Sequence, residues 1–133
     1  MQTLNIASDF INFLKPSKTQ FHAIQECVRR LEDHHFVRLH EREDWKGKIN
    51  NGGLYYFTRN QTSLFAFAVG NDYQPGNGYS ITAAHSDSPY LKLKPMSAIN
   101  NNGLVQCGVE VYDSAIWPTW LDRDLGLAGR VLV

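Results

Sequence analysis

The chain has 133 residues, 43% of them hydrophobic and 20% charged, and its thirteen basic and thirteen acidic side chains cancel. That composition excludes wholesale disorder, and the length is enough for one domain with a core of its own. A neutral balance without a basic stripe argues against nucleic acid as the main partner, and Arg29-Arg30, followed by Glu32 and Asp33, reads as a solvated helix face. No apolar run approaches the roughly 20 residues of a membrane span. The opening MQTLNIASDFINFL lacks the basic region of a signal peptide. Cys27 and Cys107 lie far apart with no CxxC, so two reduced thiols fit better than a disulfide. These features predict a soluble, cytoplasmic protein.

Along the chain, Ile6, Phe10 and Phe13, with Ala7, Ile11 and Leu14, recur at helical spacing until Pro16 ends the segment. Ser17-Lys18-Thr19-Gln20 has the form of a capping box. Phe21, Ile24, Val28 and Leu31 then predict a second amphipathic helix to about His34. Each helix needs a surface to cover. Phe36 to Leu39 is a short strand candidate, and Gly52-Gly53 breaks the chain before Leu54 to Thr58. Arg59 to Thr62 reads as a turn and Ser63 to Val69 as the returning strand of a hairpin. Asn71 to Gly78 is a loop, after which Tyr79 to Ala83 and Tyr90 to Lys94 alternate like strands. Helices first and strands afterwards predict an α/β fold, a mixed sheet with helices packed on it.

Near Pro95 the character changes. Asn100-Asn101-Asn102-Gly103 is a turn, Leu104 to Val111 a strand, and Ile116-Trp117-Pro118-Thr119-Trp120 an aromatic segment. Leu127 to Val133 reads as the start of a further strand, whose apolar side chains and open edge would need cover. A longer protein continuing beyond Val133 is the expectation.

The chemistry centres on YSITAAHSDSPYLKLKP, from Tyr79 to Pro95. Residues i and i+2 of an extended segment point to one side, about 6.6 Å apart, so Asp87 can reach the imidazole of His85. A carboxylate there fixes the tautomer and raises the basicity of a metal-ligating histidine. On spacing alone the plainer alternative is favoured, with His85 in a loop and Asp87-Ser88 capping a turn before Pro89. Adjacent His34 and His35 make a poor metal site and suit a helix C-terminus instead, and His22 is a packing or surface residue. Asp122-Arg123-Asp124 is better explained as an ion-paired turn than as paired acid–base carboxylates. Trp117 and Trp120 fit a core or a subunit interface. Ser86 and Ser88 have no GxSxG elbow, and Gly76-Asn77-Gly78 does not open a helix, so neither a serine hydrolase nor a phosphate loop is supported.

Taken together the segments are more specific. FINFLKPSKTQFHAI, GGLYYFTRNQTSLFAFAVG, TAAHSDSPYLKLKP and IWPTWLDRDLGLAGRV, in that order, resemble the aspartyl aminopeptidase family of metallopeptidases over almost the whole chain. The resemblance is strongest at Thr58-Arg59-Asn60, at Ala84 to Pro89 and at Trp120 to Val131. It implies a two-zinc exopeptidase that removes N-terminal Asp or Glu from peptides. It also implies an α/β/α metallopeptidase domain interrupted by a β-rich dimerisation domain, with dimers assembling into a dodecamer. By that resemblance His85 ligates one zinc and Asp87 orients it. Residues 1–95 correspond to the start of the metallopeptidase domain and 96–133 to the start of the inserted domain, so Asp122 and Asp124 are structural. Tyr112-Asp113-Ser114 departs from the glycine-rich sequence usual in the family.

The family's bridging aspartate, glutamate base and remaining ligands lie further along a much longer chain. Zinc takes at least three protein ligands, so this polypeptide alone is expected to bind zinc weakly and to lack peptidase activity. Two other readings stay open: a non-catalytic interaction module, and a family member preferring neutral N-termini. A separate chain complementing the C-terminal part would also restore the enzyme.

Overall fold

The computed structural model describes residues 5–133. They form two compact units: the residues up to Ser86 together with Ala128–Val133, and Asp87–Leu127.

The first unit opens with helix α1 (Ile6–Leu14), whose N-cap Asn5 accepts from Ser8 N–H through its side chain. Helix α2 (Gln20–Asp33) follows. The expected capping box is not formed. Thr19 is the N-cap and its hydroxyl meets His22 Nδ1 at 2.8 Å, while Ser17 Oγ donates back to the Phe13 carbonyl at 2.6 Å. Ser17 therefore closes α1 rather than opening α2. At the other end of α2, His35 adopts φ 65° and donates to Glu32 O, and Phe36 N–H reaches Leu31 O. This is a Schellman closure with histidine where glycine is usual, and it places His34-His35 at the C-terminus of α2.

A three-stranded mixed sheet, in the order β1-β2-β3, completes this unit. Strand β1 (Val37–Arg38) runs parallel to β2 (Leu54–Arg59), and β3 (Ser63–Ala68) returns antiparallel. Asn60 and Gln61 both take positive φ in the hairpin turn, as the strand twist favours. Alternation sends Tyr56 to one face, where it is fully buried and its hydroxyl donates to Glu32 of α2. Ala23, Ile24, Leu39 and Tyr55 are buried as well. On the opposite face from Tyr56, Phe57 stacks on Phe65 at 4.7 Å and Trp45 lies 5.3 Å from Phe57. Glu26 of α2 is buried, and its carboxylate takes Arg29 at 2.7 Å and Arg30 at 3.0 Å. Those guanidinium groups hold the Glu26 carboxyl down at about 2.

Two expected strands are not formed. Residues 79–84 join no ladder among the described residues, and Ile81 is 83% exposed. Alternation specifies a side-chain pattern, but a strand also needs a neighbour's backbone, and among the described residues β3 pairs with β2 alone. The segment 127–133 is likewise irregular and exposed. One residue in it is anchored: the Arg130 guanidinium lies 4.3 Å above the Phe21 ring and donates to the Asn60 carbonyl at 3.1 Å.

The second unit is an antiparallel hairpin of β4 (Tyr90–Asn101) and β5 (Leu104–Tyr112), followed by the 3₁₀ turn Trp117–Trp120. Asn102 and Gly103 form a two-residue connection with φ 50° and 77°, the hairpin turn that an Asn-Gly pair favours. Strand β4 does not stop where the sequence changes character at Pro95. The proline falls in a bulge between Leu93 and Ala98, where a missing N–H is tolerated. The compact units divide at Ser86/Asp87 and Leu127/Ala128. Asp122 has φ 56°, and Asp122, Arg123 and Asp124 form no ion pair among the described residues, so the expected ion-paired turn is absent.

Candidate functional site

His85 lies in the irregular segment that ends the first unit and is exposed to solvent. Asp87, two residues on, opens the second unit and is partly buried. Sequence reasoning singled out both but passed over the side chain that meets Asp87. The Tyr112 hydroxyl donates to Asp87 Oδ2 at 2.8 Å.

The bulge in β4 explains how Tyr112 arrives there. Counting back from the Asn102-Gly103 turn in unbroken register would place Ala115 opposite Tyr90. In the observed ladder residues 94–97 of β4 bulge against the single residue Gly108 of β5, and Tyr90 pairs with Tyr112. Gly108 suits this crowded spot, because a Cβ there would lie 3.3 Å from Ile99 Cδ1. The Tyr90 and Tyr112 rings are 5.4 Å apart, and Lys92 Nζ sits 4.7 Å from the Tyr112 ring centre. The hydrogen bond to Asp87, and then the charge of that carboxylate, push the Tyr112 phenol above its usual range, so it remains a donor at neutral pH.

Asp113 takes φ 64° immediately after β5, and its own carboxylate accepts the Ser114 N–H at 2.7 Å. Aspartate therefore occupies a left-handed position that glycine adopts at no cost.

Among the described residues no three His, Cys, Asp or Glu side chains come together as a metal-binding group. An open depression near α1 and α2, lined by Asp9, Glu26, Asp33, His34, Arg29 and Arg30, is no exception. Its carboxylates are occupied by guanidinium groups, with Asp9 on Arg30 at 2.9 Å and Asp33 on Arg29 at 2.6 Å. The donor chemistry of His85 suits zinc, but one imidazole is fewer than the ligands zinc requires. Cys27 and Cys107 are unpaired thiols, and burial pushes the Cys27 thiol up, away from a reactive thiolate. No helix among the described residues is long and apolar enough to cross a membrane.

Residues 13–133 match the aminopeptidase I zinc metalloprotease (M18) family, and the chain belongs to that family. It is 48% identical over 130 residues to a probable aspartyl aminopeptidase of Ricinus communis, covering 98% of this chain and 26% of that protein. Aspartyl aminopeptidase 1 of Schizosaccharomyces pombe is 49% identical over 127 residues, covering 96% of this chain and 27% of that protein. The chain thus spans about a quarter of the length of these relatives.

Solved structures agree. A chain of the Ape4–Nbr1 complex superimposes with a TM-score of 0.86 at 47% identity, covering 89% of this chain and 22% of that one. The mApe1 structure from Chaetomium thermophilum gives 0.83 at 40% identity, covering 88% and 26%. The mixed α/β fold expected from the sequence is the fold shared with these aminopeptidases.

Proposed function

We propose that this chain is the N-terminal part of a zinc-dependent aminopeptidase that removes acidic residues, Asp or Glu, from the N-termini of peptides. The observation that carries the reading is identity of nearly half, over almost the entire chain, to proteins named aspartyl aminopeptidase. Within it His85 is a zinc ligand. Asp87 accepts the second ring N–H of that imidazole, which fixes its tautomer and leaves the other nitrogen for the metal. Two zinc ions, when bound, supply Lewis acidity and an activated water. The other ligands and the general base come from outside these 133 residues, so the chain by itself binds zinc weakly and does not turn over peptide.

The residues beyond Pro95 begin a β-rich dimerisation domain in this reading. Exposed apolar side chains on the hairpin support it, with Leu104 65% and Val105 80% exposed. The working form is a cytoplasmic homo-oligomer built from dimers, in keeping with a dodecameric yeast relative at 33% identity that covers 90% of this chain.

The test compares the full-length protein containing this chain with the isolated chain, on substrates beginning with Asp, Glu and Leu and with zinc quantified in both. Zinc-dependent release of Asp and Glu by the full-length protein alone is the expected result. Preference for Leu would move the protein to a neutral specificity. No hydrolysis by the zinc-loaded full-length protein would leave a non-catalytic interaction module.

A further inference from the structure

We infer that Tyr112 is a positioning residue for this zinc site, because its hydroxyl holds the Asp87 carboxylate that orients His85. The inference rests on the zinc-ligand reading of His85 and extends it to a side chain on a different element.

Three observations carry it. The Tyr112 hydroxyl donates to Asp87 Oδ2 at 2.8 Å and so fixes one oxygen of the carboxylate. The ring itself is held, with Tyr90 5.4 Å away and Lys92 Nζ 4.7 Å from its centre. Its backbone is set in the β4–β5 ladder opposite Tyr90, a register that exists only because of the bulge around Pro95. A donor in a paired strand fixes a carboxylate better than one on a loop, and outer-shell partners of this kind commonly govern metal affinity.

Tyr112→Phe separates the hydroxyl from the ring, since phenylalanine keeps the packing against Tyr90 and Lys92. In the full-length protein, zinc affinity measured by chelator competition should weaken by about 10-fold or more in Y112F. Folding of the metal-free protein, followed by circular dichroism, should be unchanged. The same substitution placed on Asp87→Ala should have no additional effect, because its route to the metal is already gone. A purely structural tyrosine would not show that dependence.

Wild-type zinc affinity in Y112F, with weakened affinity in His85→Ala and Asp87→Ala, overturns the role of Tyr112 and leaves the zinc site standing. Wild-type affinity in His85→Ala overturns the site itself. A second measurement is independent of whether Y112F folds: NMR titration of Tyr112 in the metal-free wild-type protein. The phenol should ionise above the ordinary value of about 10 and fall toward it in Asp87→Asn. An ordinary value in the wild type overturns the inference.

Discussion

The two units of this chain are stabilised by different means. The first has a core: Tyr56 is fully buried under α2, Ala23, Ile24 and Leu39 are buried too, and Tyr55 is buried on the opposite face of the sheet against Phe67. The second unit has no buried residue at all, and its two strands expose Leu104, Val105, Val109 and Val111. A two-stranded hairpin is marginal in water. Yet this unit supplies both Asp87 and Tyr112, held by hydrogen bonding and ring packing. Stability resides in one region and much of the proposed site chemistry in the other.

Truncation should expose that difference most sharply. Tyr56→Ala removes a buried aromatic ring and should cost about 3–5 kcal/mol, whereas Val105→Ala should stay within about 0.5 kcal/mol. Urea denaturation of the two variants measures both, and equal losses would contradict the contrast. Gly53→Ala comes next. A Cβ there would lie 2.3 Å from the Tyr55 hydroxyl, whose rigid ring is buried and whose oxygen accepts the Asn50 N–H. Displacing it should cost about 1–3 kcal/mol.

A pH-dependent effect should follow from Glu26. Arg29, and then Arg30, lower its folded pKa to about 2 from an ordinary 4.5. Its contribution to stability is therefore complete above about 4.5 and is lost as the pH falls through about 2. Denaturation between pH 6 and pH 2 should show this loss, and Glu26→Gln should flatten it. The smallest effect has the opposite sign. Asp113→Gly relieves a left-handed backbone and should stabilise the second unit by about 1 kcal/mol or less, read as a small rise in midpoint.

Periodicity made much of the first unit legible. The spacing of Phe10, Phe13, Ile24 and Leu31, with Pro16 as a stop, placed both helices, and Gly52-Gly53 and Arg59 to Thr62 framed the β2–β3 hairpin. Local hydrogen bonding was less legible, because Ser17 can serve the helix before it as well as the one after. The strand expected at Tyr79 illustrates a different limit, since pairing depends on a partner that no local pattern names. His85 and Asp87 were visible only through the family motif, as their spacing alone is common. Tyr112 was hidden for a geometric reason: the bulge of residues 94–97 shifts the register, and no count from the hairpin turn anticipates that shift.

The most direct test of the central claim is the zinc content of the full-length protein with and without His85. Wild type should retain bound zinc after dialysis, and His85→Ala should lose part of it and bind zinc more than about 100-fold more weakly, beyond what outer-shell changes cost. Zinc content and affinity unchanged in His85→Ala would contradict the assignment.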